Sequence, residues 1–250
     1  MLANYRKGLL HGLPIALGYL SVSFAFGIQA TGLGLSPLQA VLISFFNLTS
    51  AGQMAGLQLM TAGAGLAEMA LTQLTINLRY ALMSLSLSQK LDETMTLPQR
   101  LLLSFANTDE IFAVASQQPG KVGKAYLYGL SNGPFLGWTL GTTLGALAGD
   151  LLPASVTSAL GLAIYGMFIA IILPPFQEHK SVRVVVLLAV ALSCLIKLLP
   201  FLQFISDGFR IIICALEAAG LGAWLMPMPS SDEETSGDDV PEPVEKEARP

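Results

Sequence analysis

Long apolar runs separated by short polar connections dominate the chain. Eight runs are each close to the roughly 20 residues that an α-helix needs to cross a bilayer. The pattern predicts an all-α, polytopic integral membrane helical bundle of about eight transmembrane helices, with seven as the alternative count. The runs are 13–31, 37–60, 64–88, 99–117, 125–148, 155–175, 182–200 and 207–227.

Two of these runs are interrupted by polar and small residues. The run 37–60 contains the segment NLTSAGQMAG at 47–56, and we expect either a broken helix or a re-entrant pair there. The run 99–117 carries Asn107, Thr108, Asp109 and Glu110 at its centre. We expect a short, broken or bundle-buried helix at that place, because backbone that leaves the helical path inside a membrane needs internal partners.

Composition supports a membrane protein with one polar tail. The 250 residues are 53% hydrophobic and 12% charged, whereas a soluble domain is about 25% charged. Residues 230–250 hold eight acidic and two basic residues and almost no apolar ones, so we predict a disordered acidic tail. Residues 1–229 are then predicted to form the transmembrane domain, with 9 acidic and 11 basic residues (17 − 8 and 13 − 2).

Basic residues fall in three connections that an eight-span topology places on one face. Cytoplasmic loops are enriched in Lys and Arg, so this face is predicted to be cytoplasmic, with both termini inside. Two cations between runs three and four oppose the assignment, although two acids accompany them. The three clusters are Arg6 with Lys7, Lys121 with Lys124, and Lys180 with Arg183; the opposing cations are Lys90 and Arg100.

Glycine recurs every fourth residue along the run 125–148. Such spacing lets helices approach closely in lipid. The row drifts by about 40° per repeat on a helix of 3.6 residues per turn, so we expect it to contact more than one neighbour. Pro134 is expected to bend or break this helix. The predicted helices that follow Pro37 and Pro153 are weakly similar in sequence. An internal repeat and chance explain this similarity about equally well.

A few charges lie inside runs that should sit in hydrocarbon. Each ionisable group there costs roughly 2.5 kcal/mol or more, so such groups are usually paired and functional. Asp109 and Glu110 point about 100° apart on a helix. We expect one of them to pair with Arg79 or Lys197 and the other to bind a cationic group or a proton. The alternatives are that the acids cap a helix end near the interface and that Lys197 reaches toward the headgroups.

Run three carries two polar stripes on roughly opposite faces, so we expect a helix at the centre of the bundle. The stripes are Glu68, Thr72, Thr75 and Arg79, and Gln73, Asn77, Tyr80 and Ser84. Gln53 is expected at a helix break, where freed backbone groups bind the ends of a zwitterion. The candidate substrate-binding residues are Arg79, Asn77, Gln53, Tyr80 and Asn107, and the candidate proton-coupling residues are Asp109 and Glu110.

Signatures of soluble enzymes are missing from the sequence. There is no H-E-x-x-H, G-x-S-x-G or P-loop motif. His11 and His179 offer no metal geometry, and Cys194 and Cys214 are predicted to behave as small buried hydrophobes. We therefore predict a protein that is not an enzyme and that needs no metal or cofactor.

The order of several short motifs resembles the AzlC family, the large subunit of branched-chain amino acid exporters of the LIV-E type. The resemblance covers about residues 8–226. The matching pieces are Gly12-Leu13-Pro14 with Phe26-Gly27, Thr49 to Gln53, Asn77 to Tyr80, Thr108 to Glu110, Trp138 to Gly149, and Ala159-Leu160-Gly161 with Met167-Phe168. Met54 and Tyr80 depart from the residues that are common in the family, which bears on substrate preference.

The resemblance implies a secondary exporter of leucine, isoleucine and valine across the inner membrane, with methionine as a further candidate substrate. It also implies a small partner subunit of the AzlD type. Proton coupling through Asp109 or Glu110 and carboxylate binding by Arg79 fit the residue types present. The alternatives are a membrane channel, an intramembrane enzyme, or a structural subunit of a transport complex.

Overall fold

The computed structural model describes residues 2–149 and 172–226 and the single residues 155, 166 and 169. The regular structure of these residues is helical. The helical class predicted from the sequence is confirmed. The predicted acidic tail, 230–250, and Pro153 lie outside the described residues. The helices are α1 Leu2–Gly32, α2 Pro37–Phe46, α3 Ser50–Thr61, α4 Leu66–Ser88, α5 Leu97–Phe105, α6 Asp109–Ser116, α7 Lys124–Ala148, α8 Lys180–Leu198 and α9 Asp207–Leu225.

Five of these helices have the length of a membrane crossing. Helices α1, α8 and α9 are both long and apolar enough to span a bilayer. Helices α4 and α7 have 23 and 25 residues, or about 34 and 37 Å at 1.5 Å per residue. Their lower hydropathy reflects the polar stripes of α4 and the glycines and threonines of α7. The remaining helices, α2, α3, α5 and α6, have 8 to 12 residues and are too short to cross.

Helices α1 and α7 lie side by side and run parallel. Gly8 packs against the backbone of Tyr126, and Gly27 packs against that of Thr142. A Cβ atom added at Gly145 would overlap the carbonyl oxygen of Phe24. Residue numbers rise together along the contact, so both helices start on the same side of the bilayer. We call that side the N-face and the opposite side the far face.

The glycine row of α7 faces one neighbour, so the expectation of several contacts was wrong. The five glycines of the row inside α7 and its C-cap residue Gly149 all have α1 atoms as their nearest tertiary neighbours, from Tyr5 at one end to Thr31 at the other. A repeat of four residues stays on one partner when the two helices wind around each other, and a period above 3.6 residues implies right-handed winding. Helix α7 also continues through Pro134, whose ring packs near Gly12.

Helices α2 and α3 form a hairpin that enters from the far face and returns to it. Ala40 of α2 and Leu57 of α3 cluster with Phe26 and Ala30, near the end of α1. The turn between the two helices instead reaches the middle of the bundle, where Leu48 packs near Trp138. The first interrupted run is therefore a re-entrant pair, one of the two forms expected from its sequence.

Helices α5 and α6 form the opposite hairpin, which enters from the N-face. The connections at its two ends are adjacent, because the Asp92 N–H donates to the Val122 carbonyl (3.0 Å) and the Val122 N–H donates to the Lys90 carbonyl (2.8 Å). The turn at 106–108 reaches the bundle centre, where Ala106 belongs to the same cluster as Leu48 and Trp138. The second interrupted run also turns back inside the membrane.

Within the described residues, two of the eight predicted runs therefore do not cross the membrane. Runs two and four each return to the face from which they came. Their polar turns interrupt the apolar stretch that a helix needs to continue through hydrocarbon. Lys90 and Arg100 consequently lie at the N-face together with Lys121 and Lys124, and they no longer oppose the charge asymmetry. The far-face connections 33–36 and 62–65 carry no charged residue.

The two hairpins are built to the same plan, 60 residues apart. Each begins with an N-cap residue whose N–H donates to the side chain of the Gln three residues later: Ser36 to Gln39 at 2.8 Å and Thr96 to Gln99 at 3.2 Å. Each follows a long helix, α1 or α4, and these two helices run in opposite directions. The halves 2–61 and 66–116 thus form an inverted repeat, an arrangement common in transporters. The turns share the sequence Ser-Phe-x-Asn at 44–47 and 104–107.

Helix α4 does not occupy the centre of the bundle, contrary to expectation. One polar stripe faces α9, where Glu68 accepts hydrogen bonds from the Ser206 hydroxyl and from the Gly208 N–H (3.1 Å). The other faces α3, where Gln73 donates to the Gly52 carbonyl (2.8 Å). A third sector between the stripes is apolar and exposed, which explains how a helix with two polar faces still borders lipid. This sector consists of Leu71, Leu74, Leu78, Leu82 and Leu85.

The close contact of α1 and α7 predicts that Gly145→Ala destabilises the protein. The added methyl group would overlap backbone atoms of Phe24, which cannot rotate away. Overpacking of this kind typically costs about 1–3 kcal/mol, so the melting temperature of the purified protein in detergent should fall clearly. Gly18→Ala is the matched control, since nothing lies within 4 Å of a Cβ atom there. Equal melting temperatures for the two variants would contradict the packing.

The re-entrant hairpins predict an unusual labelling pattern. In a chain without Cys194 and Cys214, Glu93→Cys and Gln117→Cys should react with a membrane-impermeant maleimide from the same side, because both flank α5–α6 at the N-face. Ala62→Cys should react from the opposite side. The measurement compares intact cells with inverted vesicles. Labelling of positions 93 and 117 from opposite sides would show that α5–α6 crosses the membrane.

Candidate functional site

A central cavity of about 230 Å³ lies where the turns of the two hairpins meet, in the middle of the bundle. Its walls come from α1, α3, α4, α6 and α7, and from Ile172. The turns are held together by aromatic packing, because Phe45 and Phe105, which occupy equivalent positions in the repeat, both contact Phe135, with ring centroids 5.2 and 6.3 Å apart. The cavity is therefore bordered by both halves of the inverted repeat.

The first turns of α3 and α6 both border this cavity. Ser50 and Ala51 line it from α3, and Asp109 and Glu110 line it from α6. The start of a helix carries partial positive charge and unpaired N–H groups. The N-cap hydroxyl of α3, on Thr49, does not cap the helix but donates to the Asn47 side chain (2.5 Å). The α3 N–H groups thus remain available, whereas α6 places two carboxylates at its own start.

Arg79 and Asp109 form an ion pair at the cavity wall, with Nη1 and Oδ2 2.8 Å apart. Asp109 is therefore the acid that pairs with Arg79, whereas Lys197 is exposed on α8. The guanidinium also stacks over the Tyr80 ring, 4.9 Å from its centroid, and donates to the Tyr80 hydroxyl (3.2 Å). Three of the residues singled out from the sequence are thus in direct contact.

Glu110 is bonded to a phenol instead of a cation. The Tyr19 hydroxyl lies 2.5 Å from Glu110 Oε2 and 2.6 Å from the Thr108 hydroxyl. A phenol has one proton to donate, so Thr108 donates to Tyr19 and Tyr19 donates to Glu110. Among the described residues, no basic side chain lies within 4 Å of Glu110. This carboxylate therefore borders the cavity without a basic partner among the described residues.

Tyr19 and Trp138 were not selected from the sequence, although both line the cavity and contact each other edge to face at 5.2 Å. Each is an aromatic residue with a polar atom inside a long apolar run. Such a residue usually needs a buried hydrogen-bond partner. The sequence therefore indicated that each of these two side chains needs a hydrogen-bond partner, but not which residue provides it.

Gln53 lies beside the cavity but does not line it. It is 1% exposed, accepts from Trp138 Nε1 (2.8 Å) and donates to the Ser44 hydroxyl (2.7 Å). Ser44 in turn bonds the Thr142 hydroxyl (2.6 Å). The chain of bonds ties the turn of α2–α3 to α7. Gln53 thus occupies the helix break expected from the sequence, with its side chain engaged within the protein.

Asn77 and Asn107 also lie off the central cavity. Asn77 donates to the Gln73 side chain (3.0 Å), which belongs to the contact between α4 and α3. Asn107 donates to the Ser84 hydroxyl (2.9 Å) and borders a different cavity, on the N-face side of the turn. Of the seven predicted site residues, the structure brings together Arg79, Tyr80, Asp109 and Glu110 at the central cavity.

Comparison with known proteins agrees with these features. The family model described as "AzlC protein" matches residues 14–152, a stretch that holds both hairpins and nearly the whole central cavity. The chain belongs to the AzlC family. It is therefore a membrane transport protein of that family, and the resemblance noted in its sequence is confirmed. No solved structure matches the chain significantly.

Relatives of this AzlC-family chain come from distant organisms. The inner membrane protein YgaZ of Escherichia coli is 32% identical over 76% of this chain and 81% of its own length. An uncharacterized membrane protein of Archaeoglobus fulgidus is 33% identical over 89% of this chain and 95% of its own length. The branched-chain amino acid transport protein AzlC of Bacillus subtilis is 22% identical over 72% of this chain and 70% of its own length.

The bonds of Gln53 predict that Gln53→Leu destabilises the protein. The substitution leaves the Trp138 N–H and the Ser44 hydroxyl buried without this partner, and an unsatisfied buried group costs about 1–3 kcal/mol. Thermal unfolding followed by tryptophan fluorescence should show a lower melting temperature. Gln58→Leu, on the exposed side of the same helix, should leave it nearly unchanged. An unaltered melting temperature in Gln53→Leu would mean that this network does not hold the α2–α3 turn.

Proposed function

We propose that the protein is the large subunit of a secondary active exporter of leucine, isoleucine and valine, with methionine as a further substrate, and that the solute binds in the central cavity. The observation that carries the proposal is the meeting of two oppositely inserted hairpins at one cavity that holds an unpaired carboxylate, an ion pair and an open helix N-terminus. An amino acid zwitterion needs an anion, a source of positive charge and an apolar pocket. The name of the Bacillus subtilis relative supports the same solute class.

The ammonium group of the solute is assigned to Glu110. This carboxylate borders the cavity and is bonded to Tyr19, whereas Asp109 is already paired with Arg79. A charge-assisted bond between ammonium and carboxylate is stronger than one between neutral groups. Arg79 then keeps the negative charge of Asp109 balanced and leaves a single acid for the solute.

The carboxylate group of the solute is assigned to the start of α3, with Arg79 as the second source of positive charge. Ser50 and Ala51 line the cavity, and no side chain caps their helix. Anions bind readily at helix N-termini because N–H groups and the helix dipole act together. Discontinuous membrane helices present such ends to substrates in other transporters. The apolar side chain would lie against Leu48, Ile76 and Ile172.

Proton coupling is assigned to Glu110. The same carboxylate can hold either a proton or the ammonium group of the solute, so that the arrival of one releases the other. The hydrogen bond from Tyr19 fixes the orientation of the carboxylate for both states. Such competition at one acid couples the movement of protons to the movement of the solute in the opposite direction.

The N-face is assigned to the cytoplasm, and the membrane to the inner membrane. Lys and Arg concentrate at this face, as in cytoplasmic loops generally. Helix α1 begins there, and α9 ends there, since the connection before α9 contacts Glu68 at the far-face end of α4. Both termini are then cytoplasmic. A small membrane subunit of the AzlD type is proposed as the partner, to be tested by co-purification.

Substitutions at the cavity should strongly reduce transport. Export is measured as counterflow of labelled leucine, valine and methionine in proteoliposomes, with and without the small subunit and at several pH gradients. Asp109→Asn, Glu110→Gln and Arg79→Ala each remove a charged partner worth about 1.5–3 kcal/mol, so flux should fall roughly 10- to 150-fold in protein that remains folded. Glu93→Gln, in an exposed N-face connection, is the control.

Normal counterflow in Glu110→Gln would exclude this residue from the mechanism. Unsaturable flux accompanied by a current would favour a channel. Flux that requires the small subunit and ignores all three substitutions would favour a structural role for this chain.

A further inference from the structure

A second cavity, of about 250 Å³, lies on the N-face side of the α5–α6 turn. We call it the Asn107 cavity. It is adjacent to the central cavity. Asn107 lines the Asn107 cavity, and the next residue, Thr108, lines the central one. The two spaces are nearly equal in volume and lie in sequence from the bundle centre toward the N-face.

The lining of the Asn107 cavity is amphipathic. Leu87, Leu103 and Leu127 provide apolar walls. Arg100 donates from Nε to the Met95 carbonyl (3.1 Å), and its terminal guanidinium nitrogens pair with no carboxylate among the described residues. These nitrogens can bind a carboxylate in the bidentate manner typical of arginine. The remaining polar groups are the hydroxyls of Ser84, Ser88, Ser104 and Ser131.

This polarity is not explained by packing. Asn107 is 4% exposed, and its Oδ1 atom is buried without a hydrogen-bond partner among the described residues. A buried amide oxygen in that state costs about 1–3 kcal/mol. An apolar residue would fill the place more favourably if the hairpin served only as a support. The space itself presents four hydroxyls and an arginine beside its leucine walls, which suits an occupant with a polar and an apolar part.

The equivalent place beneath the other hairpin is filled. Ser44 corresponds to Ser104 in the repeat, but it is fully buried and bonded to Thr142 and Gln53. Among the described residues, a polar network thus fills the place beneath the α2–α3 turn, whereas the place beneath the α5–α6 turn is an open space. The Asn107 cavity therefore adjoins the central cavity on its N-face side, with the turn at 106–108 between them.

We propose that the Asn107 cavity is a second binding site for the transported apolar amino acid, occupied before the solute passes the α5–α6 turn. This inference rests on the proposed function. Arg100 binds the carboxylate, the hydroxyls of Ser84 and Ser131 accept from the ammonium group, and the leucines hold the side chain. None of the described residues that line the site is acidic, so it binds the solute more weakly than the central cavity and releases it toward Glu110.

Protection of an introduced cysteine tests the second site directly. In a chain without Cys194 and Cys214, Ser88→Cys places a thiol on the wall of the Asn107 cavity, and its reaction with N-ethylmaleimide is timed in the purified protein. Leucine at about tenfold above its Kd should occupy roughly 90% of the site and slow the reaction about tenfold. Ser104→Cys, on α5 at the same cavity, should behave in the same way. Ser86→Cys, exposed on the same helix turn as Ser88, should be unaffected.

Two further variants separate this site from the central one. Protection of Ser88→Cys should persist with Glu110→Gln, which removes the acid of the central cavity. It should disappear with Arg100→Gln. Reaction rates that leucine leaves unchanged at both cysteines would overturn the proposal, as would protection that depends on Glu110 and not on Arg100. If leucine counterflow occurs while both cysteines stay unprotected, only the second site fails; if counterflow is absent, the proposed function itself fails.

Discussion

The structure depends on satisfying irregular backbone in the middle of a membrane. At each hairpin turn the helix stops, and N–H and C=O groups are left that lipid cannot bond. At the α2–α3 turn, the Asn47 side chain accepts from the Thr49 N–H, and Gln73 of α4 donates to the Gly52 carbonyl. The α5–α6 turn is bonded through Asn107 to Ser84 and through Thr108 to Tyr19, and it lies between two cavities. Polar side chains thus hold both turns in the interior of the bundle.

Helices α1 and α7 provide the fixed frame for both turns. Their glycines bring the two backbones into contact, and close contact of this kind permits little relative sliding without overlap. The same pair carries Tyr19 and Trp138, which meet at the central cavity. The frame therefore sets the position of the cavity, while the hairpins, which are short and inserted from opposite faces, each border it from one face.

Much of this arrangement could be predicted from the sequence. The features that could not be predicted have identifiable physical reasons. The breaks near residues 47–56 and 107–110 were visible as polar interruptions of apolar runs, and the cost of buried charge pointed to Arg79 and Asp109. The direction of the chain after each break was not visible, because a re-entrant hairpin and a broken span contain the same residues. Pairing of Gln53 with Trp138 joins residues 85 positions apart, and periodicity within one helix carries no information about such a contact.

The two helices that start at the central cavity, α3 and α6, begin with residues of different charge. One begins with Ser50 and Ala51, and the other begins with Asp109 and Glu110, although the two occupy equivalent places in the repeat. If the amino acid proposed above lies between these unlike ends, its ammonium and carboxylate groups can be placed in only one direction. With its side chain against Leu48, Ile76 and Ile172, three groups of its α-carbon are then fixed in space. A site of that kind would distinguish left-handed from right-handed amino acids by shape, without contacting the α-hydrogen.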